Sequence, residues 1–372
     1  KASWASNGPT LYVATKLFWD VDADPYEILD DYAAKFFGPA SEPMRAYLQE
    51  IDDGWRTVDT MAGGSYAVPH VFEAERAARM ANLLDRAEDA VDESSVYARR
   101  IGLFRLNFEA LEGFLAMWHG RNRCDFAASR AGYQQAAEAI AAQKDILLLP
   151  RDQQPENVKF SHSRTHRLMQ QAPLLNPTGP DRYLQRFWEK QIEAGFDRTE
   201  ARGRRLLQLP DQWSFLIDPT DAGVWGRWYR DEQMGGGWRN IKTYSQTWSQ
   251  QGLHYYKGIA WYRTSFKLPD AVGDGPIYLW FSAIDETAKV WVNGAYLGST
   301  EDPGPGLPGV PRAFAPVDFD ISEVVRPDGK NHLAVRVVNR QQNEVGTGGI
   351  VGPVMIWTPR NPADDPARTD AQ

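Results

Sequence analysis

The sequence predicts a multidomain α + β chain in three parts: the terminal strand-helix unit of a (β/α) barrel, an α-helical bundle, and an antiparallel β-sandwich of jelly-roll type. Three observations predict it. Residues 1–208 hold 5 Trp and 12 Gly, whereas residues 209–372 hold 9 and 19. The first part is rich in Ala, Leu, Glu and Arg at helical spacing, and the second alternates apolar and polar residues between Gly and Pro turns. One strand-like run near the start is followed directly by a helix signature. The implied domains are residues 1–40, 41–208 and 209–360, with a disordered tail at 361–372.

Taken in order, TLYVATKLFWD reads as a buried strand and PYEILDDYAAKFFG as a helix closed by Gly38 and Pro39. Asp24 is its expected N-cap, Pro25 its first residue and Glu27 the returning half of a capping box. A single strand cannot make a parallel sheet, so the remaining barrel strands are expected upstream of Lys1. Further helices fit residues 43–58, 69–93, 95–121 and 126–148. In the third of these, Ile101, Phe104, Phe108, Leu111 and Leu115 recur every three or four residues, the stripe of a packed bundle. Another helix fits 182–194, and the basic run RTEARGRRLLQLP reads as a solvated helix face leading into the last domain.

From Trp213 onward, WSFLID, GIAWYRTSFKLP, PIYLWFSA, AKVWVNG, VDFDISEVV, HLAVRVVN and PVMIWTP read as strands. Leu333, Val335 and Val337 share one face, as do Ile277, Leu279 and Phe281. Asn293-Gly294 marks a type I′ hairpin, because that turn needs positive φ at both central residues. Val290 and Val292 then face one way and Trp291 the other. Many short strands without intervening helices indicate a sandwich.

Composition excludes several classes. The formal charge of −8 disfavours nonspecific attraction to nucleic acid or anionic membranes, so a neutral partner is expected. No apolar run approaches the roughly 20 residues of a bilayer span. Cys124 is the single cysteine, which rules out an intrachain disulfide framework and a cysteine-based zinc cluster. It falls in a helical segment without a supported histidine partner, so no thiol nucleophile is indicated. No cofactor and no metal are expected.

Asp20, Asp22 and Asp24 superficially suggest a calcium loop, but Pro25 occupies the position that demands Gly and Asp31 the position of the bidentate Glu. They complement a helix N-terminus instead. His162 and His166 are one helical turn apart without the Glu of an HExxH motif, and read as exposed loop residues. The glycine runs GGGWRN and GTGGIVG open no helix after a strand, and read as turns and close strand crossings. Trp19 ends the first predicted strand, which makes it a candidate for a barrel mouth.

A sugar ring presents an apolar C–H face and a polar rim, so its sites combine aromatic rings with a few hydrogen-bonding groups. In the sandwich, His254, Tyr255 and Tyr256 offer such a set, with Trp238 and Trp248 upstream. Asp285 and Glu286 are adjacent acids; on an extended strand they diverge, so at most one addresses a given ligand.

Five blocks in order, AWYRTSFKLP, LWFSAIDETAKVWVNGAYLG, FAPVDFDISEVV, NHLAVRVVN and GGIVGPVMI, make residues 213–359 resemble the galactose-binding-like sandwich of family 2 glycoside hydrolases, their sugar-binding domain. The resemblance implies that the loops before the VWVNG hairpin and after the LAVRV strand reach a sugar held by a neighbouring barrel. Those positions are Asp285, Glu286, Asn339 and Arg340. The catalytic glutamates of that family belong to the barrel, and no stretch here matches their motifs.

LYVATKLFWDVDADPYEILDDYAAKFFGPASEPMRAYLQEID resembles the end of the barrel and the following helices of alpha-glucuronidase-like proteins. Together the two resemblances imply the C-terminal portion of a glycoside hydrolase, with its catalytic carboxylates upstream of Lys1 and an oligosaccharide or polysaccharide as partner. The same reading implies an extracellular or periplasmic location. The alternatives are a noncatalytic carbohydrate-binding module on a helical spacer and a structural docking domain.

Overall fold

The computed structural model describes residues 4–59, 66–147, 182–230, 236–270, 272–273, 275–300, 315–340 and 348–361. His162, His166 and the tail beyond Asn361 lie outside them. The chain divides into two compact units, Lys1–Asp59 with Ala67–Met117 and Ala131–Arg182, and Thr60–Tyr66 with Trp118–Arg130 and Tyr183–Gln372.

The first unit is helical: α1 (Trp4–Leu17), α2 (Pro25–Phe37), α3 (Ser41–Thr57), α4 (Val68–Val71), α5 (Ala74–Asp89), and most of α6 (Val96–Asn122) and α7 (Phe126–Leu147). The first expectation fails here. The segment read as a barrel strand is helical to Leu17, so this unit contains no β/α barrel unit among its described residues. With no neighbouring strand, an extended segment leaves its N–H and C=O groups unpaired, whereas a helix closes them internally. It packs on α2 through Tyr12, whose hydroxyl donates to Asp31 at 2.7 Å and whose ring lies 5.4 Å from that of Tyr32.

Helix α2 starts and stops as its residues dictate. Asp24 accepts the Tyr26 N–H, Pro25 leads, and Gly38 ends the helix at φ +56°. The capping box is not completed, because Glu27 is exposed and no bond returns from it to Asp24 among the described residues. The predicted helix at 69–93 is two, α4 and α5, broken where Phe72 turns inward and is buried. Ile101, Phe104, Phe108, Leu111 and Leu115 are all buried, and Phe104 packs edge-on against Phe37 at 5.2 Å.

Among its described residues the second unit holds α8 (Arg182–Phe196) and the strands β1 (Gly203–Gln208), β2 (Gln212–Ile217), β3 (Arg239–Lys242), β4 (Gly258–Phe266), β5 (Tyr278–Phe281), β6 (Ile284–Asp285), β7 (Thr287–Val292), β8 (Ala295–Ser299), β9 (Val317–Asp320), β10 (Asn331–Asn339), β11 (Gly349–Ile350) and β12 (Val354–Pro359). The basic run before Leu209 is divided: its start lies in a π-helical turn, Asp197–Ala201, and Gly203–Gln208 is strand β1, where a helix face was expected throughout. That strand pairs with β12, so the sandwich begins before residue 209. Its Arg205 is used locally, donating to the Arg123 and Cys124 carbonyls.

All pairings are antiparallel, in sheets ordered β1-β12-β5-β9, β3-β2-β4-β10-β7-β8 and β11-β6. The two larger sheets share one core. Phe215, Tyr262, Val290, Val292, Val335 and Val337 come from one, and Leu279, Phe281, Phe319, Val354 and Ile356 from the other. Alternation sends the intervening residues outward, yet many of these too are buried. Tyr278, Trp280, Met355 and Trp357 pack under Cys124 and Phe126, and Trp261 and Trp291 pack under Trp228, Tyr229 and Trp238. At the β7-β8 turn Asn293 and Gly294 have φ +51° and +83°, as a type I′ hairpin requires.

Candidate functional site

One end of the six-stranded sheet collects the candidates by strand register. Strand β10 finishes at Asn339 opposite Gly258, where β4 begins, and Val338 faces Thr287, where β7 begins. Beside them Gly349 of β11 pairs with Asp285 of β6. Asp285, Glu286, Asn339, Arg340 and the loop leading to Gly258 thus share one rim. That loop carries His254 and Tyr255, and the β4-β10 pairing closes the 86 positions between His254 and Arg340.

The two adjacent acids do different work. Asp285 is buried and accepts the Gly348 N–H at 2.9 Å, which fastens β11 to β6. Glu286 is half-exposed and accepts the Arg340 N–H at 3.0 Å, joining the ends of β7 and β10. Glu286 is the accessible member of the pair, and Asp285 holds the ribbon. Asn339 is buried and Arg340 exposed. Tyr255 is 77% exposed, a ring open to stacking, while the half-buried His254 contacts Ser249 Oγ through Nδ1 at 3.1 Å.

The support beneath this rim is aromatic. Trp248 is buried, donates its indole N–H to the Tyr262 hydroxyl, and lies 5.6 Å from the Tyr256 ring. Burial raises the Tyr262 phenol well above its ordinary value, so it stays a neutral hydrogen-bonding group. Gly348 and Gly349 pass over this pair at φ +97° and +75°, and a Cβ on either would run into Trp248. The second of the glycine runs is therefore a close strand crossing. Trp248 and Trp238 belong to packing layers; Trp238 is half-buried with Trp228 at 6.1 Å.

Sequence reasoning missed Arg121. It is fully buried between Trp118 and Trp188, 5.3 and 5.0 Å from the ring centres, and donates to the Val351 carbonyl at 2.6 Å and to Gln191 Oε1 at 3.1 Å. Val351 in turn donates to the Ala283 carbonyl, two residues before Asp285. A basic residue near a helix end gives no signal of that destination. Trp19 lies in the other unit, 94% exposed after a helix and not a strand, so its barrel-mouth placement is withdrawn.

Chemically, the rim offers an accessible carboxylate, a guanidinium and an exposed aromatic ring, the elements of polyol recognition. Among the described residues no group of three or more His, Cys, Asp or Glu is placed to hold a metal ion. No described helix is long and apolar enough to cross a membrane.

Residues 235–343 match the family described as the beta-galactosidase second all-beta domain. Over those residues the sandwich is similar to that domain. The matched segment carries the rim residues from His254 to Arg340. Over 163 residues the chain is 28% identical to a beta-galactosidase of Thermoanaerobacter pseudethanolicus, covering 42% of this chain and 20% of that protein. It is 32% identical over 85 residues to a beta-galactosidase of Clostridium acetobutylicum, and 29% over 84 residues to a beta-glucuronidase of Formosa agariphila, each match covering 23% of this chain and 8% of the relative. The chain thus spans about a fifth or less of the curated relatives it matches. A crystal structure of Ruminococcus gnavus beta-glucuronidase aligns with a TM-score of 0.33 at 20% identity, covering 43% of this chain and 30% of that one.

Proposed function

We propose that the chain is part of a glycoside hydrolase in which the sandwich recognises carbohydrate at the rim of Glu286, Arg340 and Tyr255, while the hydrolytic carboxylates belong to another part of the polypeptide. The observation that carries the reading is the convergence of these residues on one end of the sheet, inside the segment that matches a glycosidase domain. Glu286 accepts sugar hydroxyls, Arg340 donates to them, and Tyr255 covers the C–H face. Asp285 acts behind them by fixing the β6-β11 ribbon. A neutral or acidic hexose unit fits the names of the relatives, which include beta-galactosidases and a beta-glucuronidase.

The test is a titration of the whole chain against a glycan panel, repeated with Tyr255→Ala. A panel member should bind, and the variant should bind it roughly tenfold more weakly at unchanged Tm, since one stacked ring contributes about 1–2 kcal/mol. Binding by wild type and variant alike would overturn the site. No binding by any glycan would favour a docking role for the sandwich.

A further inference from the structure

A cavity of about 280 Å³ opens on the outer face of the six-stranded sheet, lined among others by Thr287, Lys289, Ser299, Arg336, Val338 and Arg340. Among its described lining residues three are cations and none is a carboxylate. Strand register puts two of them together: Lys289 of β7 stands directly opposite Arg336 of β10. Like charges opposite one another across an antiparallel pair repel, so the position disfavours the fold unless an anion lies between or beside them.

The compensation present serves one of the two. Asp221 takes Nε and Nη2 of Arg336, both at 2.8 Å, using two of the five N–H donors of that guanidinium. Asp221 is held at φ +56° in a turn whose preceding Asp218 is buried and accepts the Ala222 and Gly223 N–H groups. Lys289 makes no ion pair among the described residues. The nearby Glu286 is directed to the Arg340 backbone N–H. A half-buried ammonium, a buried guanidinium and two hydroxyls around one small cavity form a receptor for an anionic group.

We infer that this pocket takes the carboxylate or sulfate ester of an acidic sugar, with Lys289 and Arg336 facing the anion and the Thr287 and Ser299 hydroxyls its neighbouring oxygens. The volume suits one sugar unit and not a longer chain. The sugar part of the inference rests on the carbohydrate reading above; the anion part stands on the cations alone.

The experiment is calorimetric titration of the whole chain with glucuronic acid, a sulfated monosaccharide, glucose and inorganic sulfate, using wild type, Lys289→Met and Lys289→Arg. An acidic sugar should bind roughly tenfold more tightly than glucose, and Lys289→Met should remove that preference without lowering Tm, since it also removes the repulsion from Arg336, while Lys289→Arg keeps the preference. Affinity should also fall with added sodium chloride. Equal binding of glucuronic acid and glucose, or an undiminished preference in Lys289→Met, overturns the inference. Inorganic sulfate binding as tightly as the sulfated sugar overturns its sugar part. Acidic-sugar affinity that is undiminished in Tyr255→Ala but lost in Lys289→Met would sink the rim reading and leave this one standing; binding that Tyr255→Ala weakens, without acid preference, does the reverse.

Discussion

Replacing Arg121 by Met removes a fully buried cation and leaves its partners in place. The Val351 carbonyl loses a charged donor at 2.6 Å, a bond contributing roughly 1.5–3 kcal/mol, and an unsatisfied buried carbonyl adds to the cost. Gln191 Oε1 is less affected, because Ser282 Oγ also donates to it at 3.2 Å. Two cation–π contacts, with Trp118 and Trp188, contribute on the order of 1–2 kcal/mol each in a dry site. Against these stands the desolvation of the guanidinium, several kcal/mol, which Met does not incur. The net is a loss of about 2–4 kcal/mol, or roughly 5–15 °C in Tm for a unit of this size. Differential scanning calorimetry of the whole chain measures it, with near-ultraviolet circular dichroism reporting the two indoles. An unchanged or raised Tm would show that the clamp contributes less than the desolvation it requires, and would refute the role assigned to Arg121.

Gly349→Ala should destabilise the sandwich by roughly 3 kcal/mol or more, because the residue sits at φ +75° with Tyr262 and Trp248 where a Cβ would go; denaturant unfolding checks it, and a loss below about 1 kcal/mol would count against the crossing. Burial pushes the Cys124 thiol up to about 12, so the folded state keeps a proton that the unfolded chain releases near its ordinary pKa of 9.0. Stability from this group is therefore full below pH 9 and lost as the pH rises toward 12. Native protein at about pH 8 should resist thiol alkylation, with the label entering only in denaturant; rapid labelling without denaturant would contradict the burial.

The sandwich was legible because its signals are local. Alternation placed Leu333, Val335 and Val337 on one face, and Asn-Gly set the β7-β8 turn without outside help. The bundle stripe from Ile101 to Leu115 was legible for the same reason. The segment from Thr10 to Leu17 was not. Its apolar and β-branched residues suit a strand, but a strand exists only with a partner, and α2 supplied a helical packing surface instead. The run before Leu209 failed in the opposite sense, since β12 recruited a charged segment as its neighbour.

For the site, sequence resemblance named Asp285, Glu286, Asn339 and Arg340, and side-chain alternation implied that at most one of the two acids addresses a ligand. Which acid is buried followed only from the partner strand, because the Gly348 N–H meets Asp285 beside the β11-β6 pairing. The opposition of Lys289 and Arg336 depends on register between strands 47 positions apart in the chain. The destination of Arg121 depends on a carbonyl 230 positions away. By itself the sequence determined most of the elements and their faces, since side-chain period and turn chemistry act between near neighbours. The tertiary structure decided which faces are covered and which charges meet, because burial and Coulomb interaction depend on distance in space and not along the chain.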